Sequence, residues 1–331
     1  MTSRARALRP RHLAVLSAAT LLVFYAGIQL EFRRWRHDRV AALQRGSTLV
    51  STGRGVVEFV SRGEGPAVLF MHLAPGGYDQ EALPLPGFRV IAPSRPGYLR
   101  TELRAAQTYA DQATAYATLL DSLGIDRVAV AGISAGGPPA LQFAAQYPDR
   151  VWALVLLSAV TRERRAPIPS ASTLRRVTDG VFGMDFLDWL VARTVAWFPE
   201  KVIAREPGEL SSDDKEILRR DTAKLRSVID IHATRAPWSL RHEGYVNDRL
   251  QYARLGEQDP LPISAPTLVV HGTADGDVEF GNAESVVRRI PGSRLVAIPG
   301  AGHFGFVTHS EQVGPLVAQF LRDHVPASRP K

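Results

Sequence analysis

RVAVAGISAGGPPALQFAAQY, residues 127–147, is the stretch that decides the fold. Residues 127–133 are mostly small or β-branched and apolar, which favours a buried strand, and residues 136–147 have the composition of a helix. Pro138 and Pro139 fall in the first helical turn, where backbone N–H groups have no intrahelical partner. Between strand and helix lies Gly132-Ile133-Ser134-Ala135-Gly136. Because flanking glycines leave room for a sharp, strained turn, Ser134 is a candidate nucleophile.

A serine hydroxyl needs a base to remove its proton and a third group to orient that base. Asp275 follows a predicted strand in HGTADGDV, and His303 follows the next predicted strand in PGAGHF. Both lie beyond the carboxyl ends of strands, where α/β sheets place their active sites. Asp277 is the nearest alternative acid, and a turn-forming role is the structural alternative for Asp275. The sequence therefore predicts a Ser134, His303 and Asp275 triad.

A tetrahedral oxyanion requires backbone N–H donors. The turn supplies one from the residue after the serine, here Ala135. We expect the second from the loop HLAPGG at residues 72–77, where Ala74 is the candidate because Pro75 has no N–H. His72 and His271 lie at predicted strand ends, and we expect both to be structural.

The rest of the chain from Gly55 alternates short β-like runs with helix-like stretches, which is typical of a mainly parallel sheet wrapped by helices. Thr108 and Asp111 have the spacing of a capping box. Turn residues at 63–66 suggest a hairpin between the first two strands. The predicted strands are residues 56–61, 67–72, 88–94, 127–133, 151–159, 267–271 and 294–298, and the predicted helices around them are residues 108–123, 136–147 and 311–324.

The alternation stops near Val160 and resumes at Pro266. The intervening residues are too many for a loop in a compact domain, so we predict an inserted helical cap at 160–262. It divides the predicted core into residues 46–159 and 263–331. Two helices are predicted in it, at residues 184–198 and 213–232. Its aromatic side chains, Trp189, Trp197 and Trp238, are expected to cover the site and form an apolar acyl pocket.

Charge and hydropathy set the N-terminus apart. Residues 1–45 carry nine arginines and two acidic residues, which accounts for the whole net charge of +7. The remainder is electrically neutral and gives no reason to expect a nucleic-acid partner. Residues 13–30 are uncharged and would form about 27 Å of helix, near the lower limit for crossing a bilayer. We expect a single-pass membrane anchor and then a linker at residues 41–54; a cleaved signal peptide and an interfacial helix are the alternatives.

Four arginines precede the apolar stretch and four follow it closely, so the charge bias across it is nearly balanced. A short tail with four arginines resists translocation, and we therefore expect a cytoplasmic N-terminus with the folded body on the extracytoplasmic side. The chain has no cysteine, which excludes disulfides and thiolate metal sites.

Five motifs in order resemble the α/β-hydrolase superfamily, in its cap-containing branch of esterases, lactonases, carbon–carbon bond hydrolases and proline iminopeptidases. They are HLAPGG, SRPGY at residues 94–98, GISAGG, HGTAD and GAGH. The resemblance covers residues 55–326 and implies a mostly parallel sheet of about eight strands, helices on both faces and an inserted cap. A serine nucleophile disfavours the branches that use aspartate on epoxides or halides. The family usually has His-Gly where this chain has His72-Leu73, and we expect Leu73 to keep an ordinary conformation over an apolar pocket.

The resemblance and the triad together predict hydrolysis of a carboxylic ester or related acyl bond in a small molecule, through an acyl-serine and without metal or cofactor. The same triad allows peptide or carbon–carbon bond cleavage. Glu206, Glu209 and Glu243 are candidates for binding a free amino terminus. A non-catalytic binding protein on the same fold is the third interpretation. The sequence leaves the oligomeric state open.

Overall fold

Eight strands form one central sheet in a computed structural model that describes residues 10–80, 83–164, 183–199, 208–256 and 261–327. Strands β1 to β8 are Thr48–Ser51, Val56–Arg62, Ala67–Met71, Arg89–Pro93, Val128–Ile133, Val151–Leu157, Thr267–Gly272 and Arg294–Ile298. Helices α1 to α10 are Pro10–Arg45, Tyr109–Ser122, Gly137–Gln146, Phe186–Trp197, Ser212–Arg220, Thr222–Ala233, His242–Tyr252, Gly281–Arg289, Gly305–Thr308 and Ser310–His324. All seven predicted strands and the three predicted core helices are present, each within two residues at either end.

The sheet order is β1-β2-β4-β3-β5-β6-β7-β8, and every pair from β4 to β8 is parallel. This confirms the predicted α/β-hydrolase fold class. The predicted hairpin is wrong, because β2 pairs antiparallel with β1 and β4 and not with β3. All five residues of β3 are buried, so β3 lies inside the sheet with a parallel neighbour on each side.

Alternate side chains of the central strands enter two separate cores, as the two-residue period of a strand requires. Val128 and Val130 of β5 join the core that α2, α3 and α8 cover. Ala129 and Ala131 join the opposite core, which contains the apolar face of α10. Helices on both faces therefore hold the central strands rigidly, and the carboxyl ends of β3, β5, β7 and β8 lie along one edge of the sheet.

The insertion, residues 160–262, contributes helices α4 to α7 between β6 and β7. The predicted helix at 184–198 is present as α4. The single helix predicted at 213–232 is wrong, because Asp221 is extended and its side chain accepts the N–H groups of Ala223 and Lys224, both at 3.0 Å. That contact ends α5 and caps the start of α6. Helix α7 was not predicted.

Helix α1 continues unbroken past the apolar stretch to Arg45. The predicted linker at 41–54 is therefore wrong: its first part is helical, and β1 then pairs antiparallel with β2 at the edge of the sheet, with Thr48 opposite Phe59. Burial explains the continuation, since Phe32 and Leu43 are each 5% exposed. The sequence did not reveal this continuation of the helix, because the few residues that become buried stand among many arginines.

Long-range polar contacts also hold the second half of α1 to the body. Arg36 Nε lies 2.6 Å from the Asp185 carboxylate, at the start of α4. The Tyr78 hydroxyl donates to the Leu43 carbonyl at 2.5 Å. Residues 31–45 thus belong structurally with the folded body, although the sequence grouped them with the anchor.

The first half of α1 is different. Among the described residues, α1 is the helix long and apolar enough to cross a membrane, with a mean hydropathy of 1.6 in its most apolar window and only 6% of that window buried. Leu21, Leu22, Val23 and Phe24 are each at least 66% exposed. Membrane anchors and signal sequences share this length and composition.

Candidate active site

Ser134 occupies a strained turn between β5 and α3. Its φ is +51°, in the left-handed region that a residue with a Cβ rarely adopts. Residues Ser134–Gly136 form one 3₁₀ turn that leads directly into α3. The side chain is nearly buried, at 6% exposed. The turn therefore lifts the hydroxyl off the strand and holds it at the edge of the sheet.

The two glycines that flank this turn are sterically required. A Cβ on Gly132 would lie 2.5 Å from the Gly136 carbonyl oxygen. A Cβ on Gly136 would collide with the Met71 carbonyl oxygen of the neighbouring strand β3. The spacing read from the sequence thus reflects a close approach of two backbones.

The three predicted triad residues form one hydrogen-bonded chain. His303 Nε2 lies 2.9 Å from Ser134 Oγ, and His303 Nδ1 lies 2.8 Å from Asp275 Oδ2. The other Asp275 oxygen accepts the N–H groups of Asp277 at 3.0 Å and Val278 at 2.8 Å. These backbone bonds fix the carboxylate, which in turn sets the tautomer of the imidazole that faces the serine.

Burial and charge act in opposite directions on the base and the acid. Burial opposes protonation of His303, but the charge of Asp275 and the hydrogen bond to it outweigh burial and raise the pKa of the imidazole above its ordinary value. Burial would raise the pKa of Asp275, but the charge of His303 and hydrogen bonds from His271, His303 and the Val278 N–H hold that pKa well below its usual range. Asp275 therefore stays ionised across the physiological range.

Asp277, the alternative acid, lies on the other side of the imidazole. Its Oδ2 is 3.8 Å from His303 Nε2, the nitrogen that faces Ser134, and its Oδ1 accepts a hydrogen bond from Arg164 Nη2 at 2.8 Å. It does not contact Nδ1. The geometry therefore gives the orienting position to Asp275 and places Asp277 in the wall of the site.

His271, expected to be structural, also contacts the acid. Its Nε2 lies 3.3 Å from Asp275 Oδ2 and 2.8 Å from the Val278 carbonyl oxygen, and the ring is buried. The spacing of four residues between His271 and Asp275 was not a signal in the sequence, because His271 lies in β7 and Asp275 in the turn after it, not on one helix. Among the described residues, no group of three or more His, Cys, Asp or Glu is placed to hold a metal ion.

The two predicted oxyanion donors lie on the same cavity as the serine. Ala135 and Ala74 both line it next to Ser134. Within the described part of the chain, the Ala74 N–H makes no backbone hydrogen bond, which leaves it available to an incoming oxyanion.

Leu73 takes an ordinary conformation, as expected, because its φ lies outside the left-handed region. Its side chain is 2% exposed and packs in the hydrophobic core beneath the sheet edge, not over an acyl pocket. His72 fixes the loop: its Nδ1 donates to the Leu73 carbonyl at 2.7 Å and its Nε2 accepts the Arg95 N–H at 2.9 Å. The tight approach falls at Gly76, where a Cβ would lie 2.6 Å from His72 Nδ1.

The insertion holds the loop that carries His303. Asp214 Oδ2 accepts the Gly302 N–H at 2.7 Å, and Asp214 Oδ1 accepts the Thr308 hydroxyl at 2.7 Å. The Glu209 carbonyl accepts the His303 N–H at 2.8 Å. The signal for this in the sequence is the Ser-x-x-Asp capping box that starts α5.

The cavity above Ser134 is small and polar. It measures about 20 Å³, enough for about one water molecule. Its lining comes from the sheet edge and from the insertion: Ala74, Ser134, Ala135, Val160, Arg164, Tyr245, Asp248, Arg249, Tyr252 and Asp277. The predicted apolar pocket is therefore wrong.

The tryptophans expected in that pocket lie elsewhere. Trp189 packs against Phe32 of α1, Trp197 is 74% exposed, and Trp238 packs against Tyr245. Trp189 thus contacts α1, and Trp238 makes its contacts within the insertion itself.

The order of these elements matches the class of α/β proteins that carry a nucleophilic serine between a strand and a helix, with an acid and a histidine after later strands. The chain belongs to the α/β-hydrolase fold family, whose model matches residues 66–310.

Known proteins of this family are similar over most of the chain. It is 30% identical over 288 residues to the uncharacterised hydrolase YcgS of Bacillus subtilis, covering 84% of this chain and 99% of that protein. An α/β hydrolase fold protein from Nakamurella multipartita has a TM-score of 0.70 and 32% identity, covering 83% of this chain and 99% of that one. A thermophilic esterase from Thermogutta terrifontis has a TM-score of 0.60 and 25% identity, covering 84% and 99%. These similarities place the chain among the enzymes of the family.

Proposed function

We propose that the chain is a membrane-anchored serine hydrolase that cleaves a carboxylic ester or related acyl bond of a small molecule through an acyl-Ser134 intermediate. The hydrogen-bonded chain from Asp275 through His303 to Ser134, at 2.8 and 2.9 Å, carries this proposal. A serine held at positive φ with a base on its hydroxyl has no evident purpose in packing alone.

The proposed reaction proceeds in two halves. Ser134 Oγ attacks the substrate carbonyl while His303 Nε2 accepts the hydroxyl proton, and Asp275 stabilises the imidazolium. His303 then gives that proton to the leaving alcohol as the carbon–oxygen bond breaks. Water, deprotonated by His303, attacks the acyl-serine and releases the acid and the free hydroxyl. No metal or cofactor takes part.

The backbone N–H groups of Ala135 and Ala74 are the proposed donors to the oxyanion in both halves. Both residues line the cavity beside the hydroxyl. We also propose that the insertion, residues 160–262, acts as a cap. Five of the ten residues that line the cavity lie in the insertion between Arg164 and Tyr252.

Among the described residues, neither candidate acid for binding a free amino terminus is suited to that role. Glu209 is paired with Arg235 at 2.7 Å, and Glu243 is exposed and does not line the cavity. Glu206 lies outside the described residues. The two carboxylates that do line the cavity are both paired with arginines, which favours ester cleavage over cleavage next to an ammonium group.

A serine-directed fluorophosphonate probe tests the proposal on the full chain in detergent. We expect covalent labelling that Ser134→Ala abolishes and that Ser122→Ala, a change at an exposed serine, leaves intact. An unlabelled but folded wild-type protein would support a binding role instead. Turnover on p-nitrophenyl esters, lactones and aminoacyl amides then separates ester, lactone and peptide hydrolysis.

The apolar half of α1 is the proposed single-pass anchor, with the hydrolase domain on the extracytoplasmic side. Exposure of its side chains and the arginines at both ends support this. Membrane fractions should retain the full chain through a high-salt wash and release it in detergent. Added protease should digest the hydrolase domain in intact spheroplasts; digestion only after lysis would reverse the orientation.

A further inference from the structure

One face of α7 forms the roof of the cavity above Ser134. Tyr245, Asp248, Arg249 and Tyr252 all line it, and their spacing of three and four residues places them on one side of a helix. This face brings charged and hydroxyl groups, not apolar ones, to the candidate nucleophile.

The position of α7 is fixed by the core. Arg95, after β4, donates two hydrogen bonds to Asp248 at 2.6 and 2.8 Å, and the Tyr98 hydroxyl donates a third at 2.5 Å. All three side chains are buried. The Gly244 N–H also donates to the Gly97 carbonyl at 2.9 Å. These contacts immobilise the helix next to Arg249. The Arg249 guanidinium is therefore held over the cavity by a fixed helix and not by a flexible loop.

Two arginines and two aspartates line the cavity, but neither aspartate pairs with Arg249. The Asp248 carboxylate is satisfied by Arg95, and the Asp277 carboxylate is paired with Arg164 at 2.8 Å. Arg249 donates to the Tyr245 hydroxyl at 2.5 Å and lies 4.9 Å from the centre of that ring. In the described part of the structure, no carboxylate pairs with Arg249. Arg249 is therefore a cation without a directly bonded carboxylate in that part of the structure, and a guanidinium bonded once to a hydroxyl retains further donors.

We propose that Arg249 binds an anionic group on the acyl part of the substrate, so that the preferred substrates are esters whose acyl chain ends in a carboxylate. This rests on the proposed function of Ser134. A guanidinium binds a carboxylate through paired, charge-assisted hydrogen bonds, which are stronger where water is excluded. The anion supplies the bonded carboxylate that Arg249 lacks among the described residues.

Two esters with the same number of acyl carbons test the proposal. p-Nitrophenyl butyrate ends in a methyl group, and mono-p-nitrophenyl succinate ends in a carboxylate at the same position. The full chain in detergent should give the higher kcat/KM on the succinate ester. Arg249→Met should lower kcat/KM on succinate about 10- to 100-fold more than on butyrate, the range for loss of a hydrogen bond to a charged group. Arg249→Lys should retain part of the preference.

Arg104→Met is the matched control, since Arg104 is 81% exposed and lies outside the cavity. It should change neither rate. Equal losses on both esters in Arg249→Met, or a wild-type preference for butyrate, would overturn the proposal. No Ser134-dependent hydrolysis of either ester in folded protein would instead refute the proposed function, so the two failures are distinguishable.

Discussion

Phe32 is the residue through which helix α1 joins the hydrolase body, and its truncation gives a quantitative test of that junction. Its ring lies 5.6 Å from Phe186 and 6.2 Å from Trp189, both edge-on, and stacks on Trp35 at 6.3 Å. It is 5% exposed. Leu30, two residues earlier in the same helix, is 51% exposed and provides the control.

The expected loss follows from burial. Replacing a buried phenylalanine by alanine removes about 3–5 kcal/mol, since apolar transfer energy and packing are both lost. With a urea m-value of about 3 kcal/mol/M, the unfolding midpoint should fall by about 1–1.7 M in Phe32→Ala. Leu30→Ala should stay within about 0.5 kcal/mol of wild type, because an exposed side chain has little burial to lose.

Urea unfolding of full-length protein in one detergent, followed by circular dichroism and by tryptophan fluorescence, measures both variants. Fluorescence reports the junction directly through Trp35 and Trp189. If Phe32→Ala and Leu30→Ala unfold at the same midpoint with both probes, residues 31–45 are not part of the cooperative body and the assignment of α1 is wrong.

Three further predictions concern the site. Asp275→Asn should lower kcat about 10³- to 10⁴-fold, since the orienting charge on the imidazole is lost, whereas Asp277→Asn should have a much smaller effect on initial rates at alkaline pH. The reverse ranking in steady-state kinetics would exchange the two roles. The acid limb of kcat/KM should have its midpoint above the ordinary histidine pKa of about 6.5, because the pKa of His303 is raised and only its neutral form accepts the proton. Activity should therefore rise with pH through that midpoint, and Asp277→Asn should move it to lower pH; an unmoved limb would contradict the contact. Leu73→Gly should lower the free energy of unfolding, measured by denaturation, by about 2–5 kcal/mol. It should change turnover on a small acetate ester less than about tenfold. A hundredfold gain in turnover would show that Leu73 impairs the oxyanion site.

The sequence sufficed for the nucleophile and its partners because their geometry is encoded locally. Each of Ser134, Asp275 and His303 follows a strand that its own apolar run identifies. Parallel strands end at one edge, so three local predictions converge on one place. The glycines around Ser134 were equally readable, because the close approach they permit requires that residue type.

Contacts between distant segments were not readable. The Arg95 pair with Asp248 spans 153 residues, and the Arg36 contact with Asp185 spans 149. No periodicity or spacing links such partners before the chain is folded. For the same reason the polar cavity was missed: Trp189 was expected to cover the site, but the sequence did not show that it would pack against α1 instead.

If α1 is the proposed anchor, its unbroken course fixes the orientation of the enzyme on the membrane. Residues 28–45 contain neither glycine nor proline, so there is no pivot between the apolar rod and the catalytic body. A flexible linker of fifteen residues would allow an enzyme to move about 20 Å from its attachment point. A helix that continues into the folded body does not allow this movement. With the apolar half inserted in a bilayer, the serine would face one fixed direction at one fixed height, and it would meet substrates arriving in that layer as the whole molecule drifts laterally.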